Sequence, residues 1–273
     1  MMLNTVLLPT FKFNMNTMKY FLTIYWLLLT STFVPLTAQA QEISLLSYNV
    51  YFDDETGKSR YPDIIKFIKQ GDYNVIALQE CTPMFLSLFT RDSTLRYFTR
   101  QQGSLRDGYT NIILTSLKTK QTGDIKLPSN MGRSAPFIEL ADSNMMIVNV
   151  HLESGLFDSD SREQQLNTIL DATKKQTKLM IVGDMNFADG DDEEQLLNQF
   201  HDLGAKSKQL TYDVELNVLA QQTKFPFEGS KRLDRLFLKC KNCEVEQFNV
   251  QQFNYRKVKH SDHWPVSAVV NIE

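Results

Sequence analysis

The chain reads as an α/β protein, and three observations carry that reading. Short apolar runs such as ISLLSYNV (Ile43–Val50), MMIVNV (Met145–Val150) and LMIV (Leu179–Val182) are continuous rather than alternating. Strands covered on both faces have that pattern. Segments with helical spacing separate these runs. The polar residues with chemical capacity gather at the ends of the apolar runs, where α/β proteins build their sites.

The elements follow in order. Ile43–Val50 is the first expected strand. Pro62 is expected to open a helix, because proline is tolerated in a first turn. Ile64, Ile65, Phe67 and Ile68 share its face and Gly71 ends it. Val75–Leu78 is a second strand and Cys81–Phe89 a second helix. Asn111–Leu114 and Met145–Val150 read as strands. Arg162–Thr173 reads as a helix with Leu166, Ile169 and Leu170 on one side. The strand Leu179–Val182, a helix over Glu193–Phe200, and the strands Leu233–Leu238, Val245–Val250 and Val266–Ile272 complete the set. Asp53–Arg60, Gly155–Ser161 and Ser207–Ser230 are expected to be loops, and long loops in a compact domain are often functional rims.

Residues 1–40 stand apart. Lys12 and Lys19 are followed by the apolar stretch Tyr20–Leu36, then Ala38-Gln39-Ala40, an A-x-A site before Gln41. A basic start, an apolar stretch and a small-residue site make a secretory signal peptide. Met15 and Met18 are alternative starts, and an uncleaved membrane anchor is the other reading, although the run is short for a span and contains Pro35. Cleavage near Ala40 would leave residues 41–273 as one domain, moving the net charge from −3 to −5 because both lost charges are lysines. That balance excludes a protein built as a strong nonspecific nucleic-acid clamp. Three cysteines exclude a disulfide-stapled miniprotein.

The strand ends supply the chemistry. LSYNV ends in Asn49, VIALQE in Glu80, and IVNVHLES places His151 and Ser154 past an apolar run. LMIVGDMN places Asp184 and Asn186 past another, RLDRLFL carries Asp234, and SDHWPV sets Asp262 and His263 before the last strand. Carboxylates with an asparagine amide suit a hard cation such as Mg²⁺, which takes oxygen ligands. No Cys/His grouping has zinc spacing. A divalent cation beside two histidines and a free aspartate suits attack of water on phosphorus. Singly, each motif is weak: GD after a strand is common, and a lone Glu80 or His151 is more often an ion pair or a buried hydrogen bond.

The ordered set, SYNV, LQE, GYTNIIL, VNVHLES followed by REQQL, GDMNF, TYDVELN, RLDRLFL and SDHW, runs from about Ser44 to Val270. It resembles the endonuclease/exonuclease/phosphatase superfamily, divalent-metal phosphodiesterases that include DNase I and the AP endonucleases. The likeness is greatest to the tyrosyl-DNA phosphodiesterase 2 branch, through HLES, TYDVELN and RLDRLFL. The resemblance implies a four-layer α/β sandwich with two central mixed sheets. It implies Mg²⁺ or Mn²⁺ as cofactor and a phosphodiester substrate, nucleic acid or nucleotide-like, with no stable protein partner and a monomer as the expectation. Carried over by motif, Glu80 would be the direct metal ligand, with Asn49 beside the metal and Asp262 reaching it through water. Asp184 would orient and activate the attacking water, and Asn186 would hold that water or a phosphate oxygen. His151 would contact the phosphoryl group, with Ser154 nearby. His263, oriented by Asp234, would stabilise the transition state. Tyr109 would be a phosphate-side hydroxyl.

The sequence also departs from that branch. Ala188 stands where an arginine is expected, and Asp189, Asp191, Asp192, Glu193 and Glu194 follow. Such a run either repels a nucleic-acid backbone or forms the solvated start of a helix. Tyr212 replaces a usual tryptophan and would keep an aromatic platform. Arg133 is either a phosphate contact or a surface charge. Cys240 and Cys243 flank Lys241-Asn242, which looks like a hairpin tip, so a local disulfide and free thiols are both open. Phe225–Phe227 is a substrate rim or a loop anchor. A sphingomyelinase-type lipid-headgroup hydrolase, a sugar-phosphate hydrolase and a non-catalytic binding module on the same fold are the alternatives to a nucleic-acid phosphodiesterase.

Overall fold

The computed structural model describes residues 40–91, 99–105, 108–155, 157–224, 229–253 and 260–272. The chain divides into two units at Gln39 and Ala40, and the second is the body described below. The expected signal peptide up to Gln39 and the Phe225–Phe227 stretch lie outside the described residues.

Two six-stranded mixed sheets form the centre. The first holds β1 (Gln41–Asn49), β2 (Val75–Cys81), β3 (Thr99–Gln102), β4 (Thr110–Thr115), β11 (Cys243–Val250) and β12 (Val266–Ile272), in the order β11-β12-β1-β2-β4-β3. The second holds β5 (Thr119–Lys126), β6 (Ser134–Leu140), β7 (Met146–His151), β8 (Leu179–Asp184), β9 (His201–Asp202) and β10 (Asp234–Lys239), in the order β5-β6-β7-β8-β10-β9. The pairs β1–β2 and β7–β8 are parallel and the others antiparallel.

Residue parity explains the layers, since successive side chains of a strand face opposite ways. Ile43 and Leu45 of β1, Ala77 of β2, Ile147 of β7, Val182 of β8 and Leu236 of β10 meet between the sheets. Leu46, Tyr48, Ile76 and Leu78 face outward and are covered by α1 (Asp54–Gln70) and α2 (Pro83–Arg91). On the second sheet, Val148, Val150, Leu179 and Ile181 face outward against Leu166 and Ile169 of α3 (Ser159–Thr173) and Leu197 of a 3₁₀ turn (Asp192–Leu197). This is the four-layer sandwich that the resemblance implied. A fourth short helix, α4 (Val218–Thr223), lies within the Ser207–Ser230 stretch and is capped by Asn217.

Several expectations need correction. The first helix opens at Asp54, not at Pro62, so Asp53–Arg60 is not a loop. Asp53 is its N-cap, its carboxylate accepting from the Glu55 and Thr56 N–H groups, and Asp54 and Glu55 add acid to the first turn. Cys81 ends β2 instead of starting a helix. The Glu193–Phe200 helix is only the 3₁₀ turn. Eight of the twelve strands were expected; β3, β5, β6 and β9 were not. Three of those are edge strands, where a polar, half-exposed sequence such as TKQTGDIK gives little apolar signal.

Candidate active site

The parity that builds the core also delivers the site. Toward one end of the inter-sheet layer the inward positions stop being apolar. Asn49 follows Leu45 and Ser47 on β1, and Asp184 follows Met180 and Val182 on β8. His151 follows Ile147 and Asn149 on β7, while Asp234 precedes Leu236 on β10. The β8 register places Asp184 opposite both His151 and Asp234. Just inside this end, the Gln79 amide donates to Asn149 Oδ1 at 2.7 Å, and the Asn149 amide donates to the Leu78 and Ile112 carbonyls. That rung ties the two sheets below the site.

Local backbone devices aim the remaining groups. A bulge leaves Gln79 and Glu80 between the paired residues Leu78↔Ile112 and Cys81↔Thr110, and Glu80 takes φ +58. The bulge turns Glu80 toward the cleft. Tyr51 and Asn186 also have positive φ. Non-glycine residues there cost of order 1–3 kcal/mol each, and such strain concentrates at functional sites. Gly183 has φ +134, and a Cβ on it would lie 2.0 Å from the Val150 carbonyl oxygen. The glycine of the GD pair is therefore required by the close approach of β7.

The side chains converge on a cleft of about 400 Å³ lined by Glu80, His151, Ser154, Asp184, Asn186, Tyr212, Asp262 and His263, with Tyr51, Phe52, Met131, Gln222, Thr223 and Leu233. The Asn49 amide donates to Glu80 Oε1 at 3.2 Å and to Asp184 Oδ2 at 3.0 Å. The Phe52 N–H holds the other Glu80 oxygen at 2.9 Å. The Asn186 N–H donates to Asp184 Oδ1 at 3.0 Å, and its amide donates to the Leu152 carbonyl at 3.0 Å. Asp262 accepts from Thr223 Oγ1 at 3.1 Å and from Ser261 Oγ at 3.2 Å.

The two histidines differ in state. His263 donates from Nδ1 to Asp234 Oδ2 at 2.7 Å, and its Nε2 lies 3.8 Å from Asp184. Burial would depress His263, but the charges of Asp234 and Asp184 outweigh it and hold the imidazole well above its ordinary 6.5. His151 lies 3.5 Å from Asp184 and 3.7 Å from Glu80 through Nε2, while its Nδ1 meets Arg133 Nη1 at 2.9 Å. A guanidinium has no acceptor, so His151 Nδ1 must accept and Nε2 must carry the proton. Burial, Arg133 and His263 all hold His151 well below 6.5, so it is a neutral donor facing the cleft.

The carboxylates are under strain of another kind. Burial and the charge of Asp262 push Glu80 up to about 7. Burial also raises Asp234 and Asp262. Among the described residues no lysine or arginine forms an ion pair with Glu80, Asp184 or Asp262. Oxygen donors crowded together, with the His263 imidazolium but no lysine or arginine ion pair to balance them, fit a hard divalent ion, with Glu80 and Asp262 as the candidate ligands and Asn49 beside them.

Three sequence candidates sit at the margin. Arg133 is not a surface charge: it is buried behind His151, and its Nη2 also reaches Ser154 Oγ at 2.8 Å. Tyr109 lies outside the cleft lining, its ring stacked on His151 at 6.4 Å and next to Phe52 at 5.2 Å. Tyr212, in the cleft lining, packs against His263 with ring centroids 5.3 Å apart. Sequence reasoning missed Glu153, although HLES contains it. Its buried carboxylate accepts from Ser129 Oγ and the Asn130 and Met131 N–H groups, at 2.6–3.0 Å, and from the Gln165 amide at 2.9 Å. It thereby holds the segment that delivers Arg133. REQQL supplies the other anchor, Arg162, which bonds the Gly155 carbonyl at 2.8 Å and Glu193 at 2.6 Å.

The acidic run after GDMN does open a helical turn, with Asp191 as N-cap and Asp192 exposed in its first turn, but three of its acids are paired. Glu193 is buried against Arg162, Asp189 pairs with Arg232, and Glu194 pairs with Arg235 at 2.5 Å. At the far end of β10, Cys240 and Cys243 are joined in a disulfide across the hairpin.

Known proteins share this fold. The TDP2 of D. rerio, solved with a single-strand DNA product, superposes with a TM-score of 0.72 at 21% identity, over 85% of this chain and 99% of that one. The truncated TDP2 of Caenorhabditis elegans gives 0.70 at 19% identity, over 85% and 98%. An endonuclease/exonuclease/phosphatase family protein of Bacteroides thetaiotaomicron gives 0.65 at 16% identity, over 86% and 99%. A search of the curated proteins returns no significant match. The model of the Endonuclease/Exonuclease/phosphatase family matches residues 46–239, which span β1 to β10, and the chain belongs to that family.

Proposed function

We propose that the chain is an exported, divalent-cation-dependent phosphodiesterase acting on nucleic acid or a nucleotide-like diester. Family membership supports hydrolysis of a phosphoester bond. The observation that carries the finer reading is the pair of raised carboxylates without a lysine or arginine ion pair, Glu80 and Asp262, facing two histidines held in opposite charge states. Glu80, with Asn49 and Asp262, would hold Mg²⁺ or Mn²⁺, which when bound supplies charge neutralisation at the phosphoryl group. Asp184, fixed by Asn49 and Asn186, would take the proton of the attacking water. Water oxygen bonds to phosphorus, the bond to the leaving oxygen breaks, and a phosphomonoester and an alcohol result. The imidazolium of His263, held by Asp234, and the Nε2–H of His151 face the same space and would stabilise charge on the phosphoryl oxygens. Arg133 and Ser154 would steady His151 and the substrate side, with Tyr212 as an aromatic wall and Tyr109 stacked behind His151.

The TDP2 neighbour that was solved with a single-strand DNA product favours nucleic acid as substrate. The Cys240–Cys243 disulfide supports an oxidising compartment, and with it export through the N-terminal segment. Among the described residues no helix is long and apolar enough to cross a membrane. Hydrolysis of bis-p-nitrophenyl phosphate with Mg²⁺ or Mn²⁺, set against Asp184→Asn, tests the reaction; equal rates would refute it. A panel of single-stranded DNA, duplex DNA, 5′-phosphotyrosyl DNA, RNA, sphingomyelin and sugar phosphates tests the substrate. Preference for the lipid would replace the nucleic-acid reading. Mass spectrometry of the secreted protein should find Gln41 at its N-terminus.

A further inference from the structure

Two segments carry the cleft wall on the β1 side. Val50–Asp53 follows Asn49 and holds Glu80 through the Phe52 N–H. His260–His263 precedes β12 and carries Asp262. Between them sits Arg60, in the second turn of α1 and 1% exposed. Its guanidinium donates to the Val50, Tyr51 and Asp53 carbonyls at 3.1, 3.1 and 3.0 Å, and to the His260 carbonyl at 2.5 Å. Nε donates to Thr56 Oγ1 at 2.9 Å. The rings of Tyr51 and Tyr61 lie 5.0 and 5.2 Å from the guanidinium carbon.

This is an unusual use of a buried cation. A charge taken out of water normally finds a carboxylate, as Arg162, Arg232 and Arg235 do here. Arg60 forms no ion pair with any described carboxylate; its hydrogen bonds end on four backbone carbonyls and a hydroxyl. Those carbonyls belong to the segment that holds the Glu80 carboxylate and the segment that carries Asp262. A guanidinium is a planar fork of fixed donors, so it sets the spacing of the groups it joins, which a flexible ammonium does not.

We propose that Arg60 is a positioning residue that fixes the separation of Glu80 and Asp262 and so sets the affinity of the cleft for a divalent cation. The proposal rests on the reading of these carboxylates as cation ligands. Calorimetric titration of the full chain with Mn²⁺ tests it, using wild type, Arg60→Lys, Thr56→Val and the control Arg232→Lys, with urea midpoints measured alongside. Arg60→Lys should weaken Mn²⁺ binding by about 10-fold or more, as loss of a supporting contact behind a metal ligand does. Thr56→Val, which removes the Nε anchor and the hydroxyl's bond to the Asp53 cap at 2.8 Å but keeps the guanidinium, should weaken it by a smaller factor, about 2-fold, and keeps the test open if Arg60→Lys does not fold. Arg232→Lys should lower the urea midpoint and leave Mn²⁺ affinity unchanged, which separates positioning from general stability. Wild-type affinity in Thr56→Val and in a folded Arg60→Lys overturns the proposal. If the wild-type chain binds no Mn²⁺, the cation reading of the cleft fails and Arg60 loses its role with it.

Discussion

Two acidic clusters lie on either side of β8–β10, and their chemistry is opposite. In the cleft, Asp184, Asp234 and His263 present ligand atoms within 4.8 Å of one another, with Glu80 and Asp262 nearby. Outside the second sheet, Asp189, Glu194 and Asp202 are grouped as tightly. Arg232 and Arg235, both buried, neutralise the outer group, with Asp202 bonded to both at 2.5–2.7 Å. Burial tends to raise Asp202, but the hydrogen bond and charge of Arg232 and Arg235 hold it below its ordinary 3.8. Asp189 and Glu194 are held down in the same way. Glu80 and Asp262, by contrast, are raised. A cluster of carboxylates is therefore scaffold when the fold supplies its cations, and a site when the fold withholds them.

The comparison breaks first at Glu80. Replacing Glu80 by Gln should cut hydrolysis of bis-p-nitrophenyl phosphate by about a thousandfold, an effect of the size produced by losing a charge-stabilising group at the reacting centre. It should also abolish the rise in Tm that Mn²⁺ gives the wild type, which reaches about 2.7 kcal/mol of stabilisation at a hundred times the dissociation constant. Asp189→Asn in the outer cluster should leave both intact. Equal loss in the two variants would mean that the clusters do not differ in kind.

The converse experiment removes a cation from the scaffold. Arg232→Met takes from Asp189 its nearer partner, leaving Arg235 at 3.6 Å, and takes away one of the two held by Asp202. Breaking a buried pair in this way costs about 3 kcal/mol. Urea unfolding should show that loss, while the Mn²⁺ dissociation constant of the folded fraction stays at the wild-type value. A shift in that constant would show the outer network acting through β10 on Asp234.

Much of the cleft was legible because strand-end residues are tied to the apolar runs that carry them. Once Met180 and Val182 are assigned inward, Asp184 must face the same layer. The difference between the clusters was not legible. Asp189 and Glu194 look like a solvated acidic run because their partners, Arg232 and Arg235, stand about forty residues later, on an expected strand where charges are read as exposed. Arg60 was hidden for a related reason. Pro62 suggested a helix start, which left Arg60 in a supposed loop, whereas the Asp53 cap two turns earlier carries it into the helix and under the cleft. Glu153 lies inside a motif that was read for its histidine and serine, and only the folded chain shows which backbone its carboxylate holds. Edge strands such as β5 lack the apolar face that would have marked them.

The smallest effect, and the sharpest test of opposite charge states, is the pH dependence of stability without metal. In the outer cluster the folded carboxylates bind protons less readily than the unfolded ones. Their contribution is complete above the ordinary 3.8 of an aspartate and is lost as the pH falls through the lowered folded values. In the cleft the folded Glu80 binds its proton more readily, with a value of about 7 against an ordinary 4.5. Its contribution is complete below 4.5 and is lost as the pH rises through 7. His263, raised above 6.5, adds a loss of the same direction at higher pH. In EDTA, these groups should therefore lower Tm both as the pH falls below 3.8 and as it rises above 4.5, by a few degrees per kcal/mol of lost stability. Asp202→Asn should reduce the acid loss alone, and Glu80→Gln should reduce the loss between pH 4.5 and 7 alone. Saturating Mn²⁺ should also reduce that second loss, because a bound cation supplies the charge that the fold leaves out of the cleft. A loss between pH 4.5 and 7 that survives both Glu80→Gln and Mn²⁺ would place the strain elsewhere than in these carboxylates.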